Sequence, residues 1–385
     1  MNARQHPVLI AAGGTGGHMF PAVSLASALS ARGHTILFVT DPRGGGVTSD
    51  VLGLPKTVMR HTISARSLGG GPKGLAAGVK ALAQGFFQSR NLIREYKPSI
   101  GVGFGGYPSV PPILAAGFAG LPTVIHEQNA VLGRANRRLA RGARAFALSF
   151  AQTQRLKSAG HAKATVVGNP VRPDIAALAA RPYTPPSGVI DLLVVGGSQG
   201  AQVFSKIVPA AFNALSAPQR ARFRLAQQCR PEDIETVRAA YAGLNMPVEL
   251  ETFFDDMPAR LAAAHLVVGR AGASTVAELT AAGRPALYVP YPHAVDDHQM
   301  ANARAVDAAG AGWVMAQAEF TPAAMAGWLE AALESADALA RVASAARGLG
   351  HPDAADRLAD LVEHLIPSNG NGMGRDASTL REAAE

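Results

Sequence analysis

The sequence has little cysteine and little charge. Cys229 is the only cysteine among 385 residues, so no intrachain disulfide can form and a cysteine-cluster metal site is excluded. A chain of this kind suits a reducing compartment, with the cytosol as the default. Charged residues make up 17% of the chain, whereas about a quarter is usual, and hydrophobic residues reach 48%. This composition excludes an intrinsically disordered protein.

Long uninterrupted hydrophobic runs are missing as well. The first apolar run, Val8 to Ala12, is too short for a secretory signal and stops at two glycines, so we expect a protein that is not exported. Residues 100–125 carry no charge, but four prolines and six glycines interrupt them. We therefore expect strands, loops and a helix in this region and not a membrane-spanning helix.

Positive charge is in excess. The 36 lysines and arginines outnumber the 28 aspartates and glutamates, which gives a formal net charge of +8. A basic surface favours acidic partners, which are nucleic acids, anionic lipids or phosphate-bearing small molecules. Charge alone does not choose among these three classes.

Short β-branched runs alternate with helical stretches, which predicts an α/β protein with parallel sheets. The runs lie at 8–10, 35–40, 100–104, 122–125 and 164–168, and after a proline-rich segment at 191–195, 223–228, 248–253, 266–269 and 286–290. We place a first domain at 1–170 and a second at 171–349, which agrees with about 150 residues per domain. Apolar spacing at about 350–366 predicts a helix that docks on either domain, and 367–385 is predicted to be a disordered tail.

Glycine-rich turns follow the first strand of each half, at 9–18 and 192–201, and two others end strands at 103–109 and 269–274. Such a turn before a helix lets backbone amides bind a phosphate, although a tight turn explains any single one equally well. Their repetition favours a phosphorylated ligand. The dinucleotide fingerprint is incomplete, since Met19 stands in place of its third glycine. The P-loop pattern and a DxD pair are missing, which argues against a P-loop and a metal site.

Polar side chains follow strands in both halves. His18 comes directly after the first glycine turn, where it is placed to act as a base, and His126, Glu127 and Asn129 follow the strand at 122–125. The alternative for Asn129 is a helix cap. In the second half, Glu278 follows a helix start, where a carboxylate can accept the paired hydroxyls of a ribose. An acid that satisfies the helix dipole is the simpler alternative there.

A helix predicted between the prolines at 72 and 98 places apolar side chains along one stripe, at Leu75, Val79, Leu82, Phe86 and Ile93. Packing of this stripe on a sheet explains most of these residues. An apolar patch ringed by cations also suits an anionic membrane surface. The candidates for membrane contact are Lys73, Lys80, Phe87 and Arg90.

Seven motifs together resemble those of the MurG family, bacterial GT-B glycosyltransferases of family 28. They are GGTGGHMFPA at 13–22, GFGGYPS at 103–109, HEQNAVLGRAN at 126–136, GNPVR at 168–172, GGSQGA at 196–201, RAGASTVAE at 270–278 and DDHQMANA at 296–303. The match runs in order from about residue 7 to 366. The resemblance implies two Rossmann-like domains that face each other across a cleft, with the carboxyl-terminal helix crossing back to the first domain.

The resemblance also implies a reaction. Members of this family transfer N-acetylglucosamine from UDP-N-acetylglucosamine to the 4-hydroxyl of undecaprenyl-pyrophosphoryl-N-acetylmuramoyl-pentapeptide, with inversion at the anomeric carbon and without a cofactor or metal. The implied location is the cytoplasmic face of the inner membrane, where the enzyme is held peripherally by the anionic surface, with no nucleic-acid partner. This favours the membrane interpretation of the helix over its packing alternative.

Matching the motifs residue by residue implies a donor site formed by Thr15, Gly16, Gly17, Asn129, Arg172, Ser198, Phe254, Ala273, Ser274, Thr275, Val276, Ala277, Glu278 and Gln299. Arg172 and Ser198 are implied to contact the diphosphate. Phe254 and the 273–278 segment are implied to contact the uracil and ribose, with Glu278 on the ribose hydroxyls. For the general base we predict His18, with Glu127 and His126 as alternatives.

Two rival functions remain open. A UDP-N-acetylglucosamine 2-epimerase shares the fold and the nucleotide but needs no lipid acceptor, and the basic apolar helix argues against it. A sensor that binds the sugar nucleotide without catalysis is disfavoured by the presence of His18, Glu127 and Gln299.

Overall fold

The computed structural model describes residues 6–13, 16–42, 54–55, 57–69, 71–197 and 200–367. Two parallel sheets with helices between their strands form the described part of the chain. They confirm the predicted α/β class and the two Rossmann-like domains.

In the first domain, the described residues form seven strands: β1 (Val8–Ala11), β2 (Ile36–Thr40), β3 (Met59–Thr62), β4 (Ile100–Gly103), β5 (Thr123–Glu127), β6 (Ala145–Leu148) and β7 (Ala164–Val166). They pair in parallel in the order β3-β2-β1-β4-β5-β6-β7. The described helices of this region are α1 (Gly16–Ala31), α2 (Gly71–Tyr96), α3 (Val110–Phe118), α4 (Arg134–Leu139) and α5 (Ser158–His161). The chain then forms α6 (Pro173–Ala176), whose Ile175 is buried in a core cluster of the second domain.

The part of the second domain that the structure describes has six strands: β8 (Ile190–Val195), β9 (Phe223–Gln228), β10 (Val248–Glu251), β11 (Leu266–Gly269), β12 (Ala286–Tyr288) and β13 (Trp313–Val314). Their parallel order is β10-β9-β8-β11-β12-β13. The helices are α7 (Gln202–Ala214), α8 (Ala217–Arg220), α9 (Ile234–Tyr241), α10 (Met257–Ala263), α11 (Ala273–Ala281), α12 (His298–Ala308), α13 (Pro322–Glu334), α14 (Ala336–Leu349) and α15 (Ala354–Leu365).

The last helix of the described range, α15, returns to the first domain. Leu358, Leu361 and Val362 are buried in the core cluster that contains the residues of β1 and α1. On the surface, Arg32, which directly follows α1, forms ion pairs with Asp356 and Glu363, each at 2.9 Å. The helix thus ties the end of the second domain to the first. Residues 368–385, most of the predicted tail, lie outside the described residues.

Helix α2 bears on the two interpretations of its apolar stripe. Leu75 and Val79 are 48% and 54% exposed, which disagrees with the alternative in which the whole stripe packs on the sheet. The face that packs carries Gly78 and Gly85, since a Cβ on Gly78 would lie 2.7 Å from the carbonyl oxygen of Ser67. The backbone at Ser67 therefore packs closely against the glycine face of α2, and the apolar side chains near the start of the helix, Leu75 and Val79, are exposed to solvent. No described helix is long and apolar enough to cross a membrane.

Candidate active site

One buried amide joins strand ends of both domains. Asn302 on α12 is fully buried, and its Oδ1 accepts a hydrogen bond from the backbone N–H of Ala130 at 2.8 Å. Its Nδ2 donates to Oδ1 of Asn129 at 3.1 Å and to the carbonyl of Ala271 at 3.0 Å. Asn129 and Ala130 follow β5, whereas Ala271 follows β11. The candidate residues of the two halves therefore lie around one cleft, at the carboxyl ends of the strands.

His18 lies in the first turn of α1, against the turn that follows β4. Gly105 and Gly106 in that turn have φ values of +81° and +70°. A Cβ on Gly106 would lie 3.3 Å from Cδ2 of His18 and 3.0 Å from the carbonyl oxygen of Gly13. Glycine is required here because a larger residue would press on the histidine ring and strain the backbone.

The environment of His18 suits a general base. Its Nδ1 lies 3.1 Å from Oε1 of Gln128. Burial lowers the pKa of His18 below its ordinary value, against smaller raising effects of the Glu127 charge and of hydrogen bonds to Gln128 and to the Phe104 backbone. The ring is therefore neutral at neutral pH and able to accept a proton.

His126 is fully buried, and both of its ring nitrogens are engaged. Nε2 donates to the carbonyl of Gly168 at 3.0 Å, and Nδ1 accepts from Nε2 of Gln128 at 3.0 Å. The ring also packs on Phe104, with centroids 5.1 Å apart. Burial lowers the pKa of His126 to about 4. With no free lone pair for a substrate, His126 is not placed to act as the base.

Glu127 is also buried, and its carboxylate holds the loop that follows β5. Oε1 accepts from the backbone N–H and the Nδ2 of Asn129, at 3.1 Å and 3.3 Å. Oε2 accepts from the backbone N–H of Gly133 and from Nδ2 of Asn136, both at 2.8 Å. These bonds make Glu127 a positioning residue for Asn129 and leave His18 as the candidate base.

In the second domain, Glu278 of α11 faces Arg172, which follows β7. Their closest oxygen and nitrogen are 3.8 Å apart, and the guanidinium of Arg172 also lies 6.0 Å from the ring centroid of Phe20 on α1. Burial raises the pKa of Glu278 to about 7, although the charge of Arg172 works in the opposite direction. A poorly hydrated carboxylate can accept hydrogen bonds from hydroxyl groups of a ligand, and an arginine beside it can bind an anionic group of the same ligand.

The other residues predicted for the donor site lie on three segments. Ala273, Ser274, Thr275, Val276 and Ala277 form the start of α11, where the Ser274 hydroxyl is enclosed and meets no partner among the described residues. Oε1 of Gln299 on α12 accepts from the backbone N–H of Tyr291 at 2.9 Å. Gly16 and Gly17 open α1 beside His18, while Thr15 and Ser198 lie outside the described residues.

Phe254, a predicted contact of the uracil, follows β10. It is only 4% exposed, and the guanidinium of Arg260 lies 4.0 Å from its ring centroid. The ring is therefore covered, and the contact of Phe254 with the uracil stays a prediction. The preceding residue, Phe253, is 65% exposed instead.

An ion cluster that the sequence did not indicate links the two domains. The carboxylate of Asp296 lies 2.8 Å from Arg137 of α4, 2.8 Å from Arg155 after β6 and 3.5 Å from Arg134. Burial acts to raise the pKa of Asp296, but the hydrogen bonds and charges of Arg137 and Arg155 bring it down to about 2. The lowered pKa means that the ion pairs stabilise the ionised form of Asp296. Their contribution is fully present when the pH is above the ordinary pKa of an aspartate, so the cluster stays ionised from pH 5 to 8.

Replacing Asp296 with asparagine should loosen the contact between the domains. Removing the shared carboxylate should lower the free energy that holds the domains together by about 1–2 kcal/mol. This value lies between the contributions of exposed and of buried ion pairs, because the arginine partners are partly exposed. We expect a larger radius of gyration by small-angle X-ray scattering and about a tenfold loss of activity. Asp297→Asn, which makes the same charge change at the next residue, is the control. Equal effects of both variants would contradict a specific role for Asp296.

Family models match both halves of the chain. The Glycosyltransferase family 28 N-terminal domain matches residues 8–148, and the Glycosyltransferase family 28 C-terminal domain matches residues 191–358. A relative from Rhodospirillum centenum is 50% identical over 379 residues, which cover 98% of this chain and 99% of the relative. It is described as UDP-N-acetylglucosamine--N-acetylmuramyl-(pentapeptide) pyrophosphoryl-undecaprenol N-acetylglucosamine transferase. A relative of the same description from Rhodospirillum rubrum is 50% identical over 373 residues, 95% of each chain.

Solved structures agree with this picture at the level of the fold. The crystal structure of Acinetobacter baumannii MurG is similar over 93% of this chain and 99% of that chain, with a TM-score of 0.75 and 29% identity. A UDP-GlcNAc 2-epimerase from Neisseria meningitidis bound to UDP-GlcNAc gives a TM-score of 0.67 at 14% identity, over 93% of this chain and 100% of that chain. The fold alone therefore does not separate transferases from epimerases.

Proposed function

Because the chain belongs to glycosyltransferase family 28, we propose that it transfers N-acetylglucosamine from UDP-N-acetylglucosamine to the 4-hydroxyl of undecaprenyl-pyrophosphoryl-N-acetylmuramoyl-pentapeptide. Relatives that are 50% identical over nearly the whole chain carry the name of this transferase. The reaction converts lipid I to lipid II and is a step of peptidoglycan synthesis.

The observation that carries the proposal is the Asn302 contact. It brings the loop after β5, with its neighbour His18, together with the segment that contains Gln299. A transferase needs a base for the acceptor and contacts for the donor within one cleft, and this arrangement supplies both.

Transfer proceeds by a single displacement. Nε2 of His18 accepts the proton of the acceptor hydroxyl as its oxygen attacks the anomeric carbon, and the bond from that carbon to the UDP oxygen breaks with its electron pair on the diphosphate. Arg172 and the amides at the start of α11 stabilise this negative charge, which is larger in the transition state than before. Attack from the face opposite to UDP gives a β linkage.

The stereochemistry and the need for an acceptor test this proposal together. We expect proton NMR of the product to show the large coupling of a β-anomeric proton, and UDP to be released only when the lipid-linked acceptor is present. An epimerase would instead convert UDP-N-acetylglucosamine to its 2-epimer without an acceptor. That result, or an α-linked product, would overturn the proposed reaction.

The location of the enzyme is part of the proposal. The exposed Phe87 of α2 lies near Phe118 of α3, since the intervening Phe86 contacts both rings, with centroids 5.7 Å and 5.6 Å apart. Leu75 and Val79 are also exposed on α2. Phe118 is 82% exposed. Lys73, Lys80 and Arg90 are exposed on the same helix. Apolar side chains flanked by cations suit the anionic cytoplasmic face of the inner membrane, where the acceptor lipid lies.

The double variant Phe87→Ser, Phe118→Ser should bind liposomes poorly. Burial of one phenylalanine contributes about 1.5–3 kcal/mol, so loss of both should lower partition onto anionic vesicles by about 100-fold or more. A flotation assay measures this loss. Phe253→Ser, which removes an equally exposed phenylalanine from the second domain, is the control. If the control lost as much binding as the double variant, this surface would not be the membrane contact.

A further inference from the structure

A chain of hydrogen bonds runs from His18 to the linker between the domains. Nδ1 of His18 meets Oε1 of Gln128, and Nε2 of Gln128 meets both the carbonyl of Phe104, at 2.9 Å, and Nδ1 of His126. Nε2 of His126 meets the carbonyl of Gly168. Gln128 is only 1% exposed, so water does not compete for these bonds.

The two backbone carbonyls fix the direction of every bond in this chain. A carbonyl only accepts, so Nε2 of His126 carries the hydrogen that it donates to Gly168. Because neutral His126 has one ring hydrogen, its Nδ1 must accept from Gln128. The carbonyl of Phe104 likewise can only accept, so the atom of Gln128 that bonds to it must be the amide nitrogen. The amide oxygen is therefore the atom that faces His18, and it requires a hydrogen on Nδ1 of that ring.

We propose that Gln128 is a positioning residue that holds His18 in its Nδ1–H tautomer, which leaves the lone pair on Nε2. The inference rests on the proposed function, because it concerns the base of that reaction. A histidine without such a partner divides between two tautomers and rotates about its side-chain bonds. Gln128 selects one tautomer and one ring orientation, and His126 in turn selects the orientation of the Gln128 amide.

This assignment gives His126 and Gly168 a role that the sequence did not indicate. Gly168 has a φ of +86° and lies between β7 and α6, where the chain leaves the first sheet. Its carbonyl is the end of the hydrogen-bond chain. The protonation pattern of His18 in the cleft is thus set from the linker through two buried side chains, His126 and Gln128.

Nitrogen-15 NMR of the intact protein tests the tautomer without reference to activity. The two-bond couplings of each imidazole identify which nitrogen carries hydrogen, and the His18→Gln difference spectrum assigns the signal. We expect Nδ1–H for wild-type His18 at neutral pH. Observation of the Nε2–H tautomer would overturn the inference, whether or not the protein proves to be a transferase.

Kinetics of two Gln128 variants test its effect on the reaction. Gln128→Met keeps the approximate shape of the side chain but loses its hydrogen bonds. We expect kcat to fall about 10- to 100-fold, the usual effect of removing a residue that orients a functional histidine. The affinity for UDP-N-acetylglucosamine should not change. In Gln128→Glu, a carboxylate would face His18 and should move the acid limb of the kcat profile up by about one pH unit or more. The titratable groups that already face His18 are Glu127, His126 and His298, and they are present in every variant.

A purely structural role of Gln128 predicts a different result. It would lower the melting temperature of both variants and leave the tautomer and the acid limb in place. Ser89→Ala is the control for destabilisation alone. It removes a buried hydrogen bond within α2, from the Ser89 hydroxyl to the Gly85 carbonyl, which lies away from the cleft. A wild-type protein without transfer activity would refute the proposed function. A wild-type level of kcat in folded Gln128→Met would refute only the role of Gln128.

Discussion

His18→Ala should lose about 100- to 10,000-fold of its turnover, the range that a positioned general base contributes. Its affinity for UDP-N-acetylglucosamine should stay close to that of the wild-type protein, because most of the contacts proposed for the donor lie on Arg172, α11 and Gln299. Steady-state transfer at saturating donor measures the first effect, and calorimetry with UDP-N-acetylglucosamine in the absence of the acceptor measures the second.

Two further results would identify His18 as the base. The control variant His161→Ala, at an exposed histidine of α5, should retain full turnover. Since burial lowers the pKa of His18, wild-type kcat should persist as the pH falls past about 6.5, where an ordinary histidine becomes protonated. Turnover of His18→Ala within a few-fold of wild type would exclude His18 as the base.

Glu278→Gln should weaken UDP binding by about 30- to 1,000-fold. Two hydrogen bonds from ribose hydroxyls to a carboxylate contribute about 2–4 kcal/mol more than bonds to a neutral amide that accepts through one oxygen. Glu235→Gln, at an exposed acid of α9, is the matched control. Unchanged UDP affinity in Glu278→Gln would remove Glu278 from the donor site.

The pH dependence of UDP binding checks the same residue. The pKa of Glu278 in the free protein is raised to about 7, and bound hydroxyls favour its ionised form. Affinity should therefore be greatest above pH 8 and should fall as the pH drops below 7, approaching about tenfold per pH unit. In Glu278→Gln this dependence should disappear. A dependence that persisted would belong to another group.

The order of strands was largely predictable because most of them carry a strong local pattern. All ten predicted runs contain or overlap a strand of the structure, from β1 to β12. Three strands were missed. β3 has the polar sequence MRHT at a sheet edge, β6 is the alanine-rich AFAL, and β13 has two residues. Their pairing comes from neighbouring strands and not from intrinsic β propensity.

The site was predictable only as a set of motifs. The sequence indicated His18, with Glu127 and His126 as alternatives, for one role, the base. The three residues differ in their contacts with Gln128, Gly168 and Asn136, which no spacing reveals. The Asp296 cluster joins residues more than 130 positions apart. For α2, the helical period indicated the apolar stripe. It did not indicate that the face with Gly78 and Gly85 would pack against the rest of the domain.

Transfer of labelled N-acetylglucosamine from UDP-N-acetylglucosamine to lipid-linked muramoyl-pentapeptide tests the central claim most directly. The assay is run with EDTA and with a sample that lacks the acceptor. We expect label in the lipid fraction only when the acceptor is present, and at the same rate with EDTA. Donor binding without transfer of label to the lipid would contradict the account and would favour an epimerase or a sensor of the sugar nucleotide.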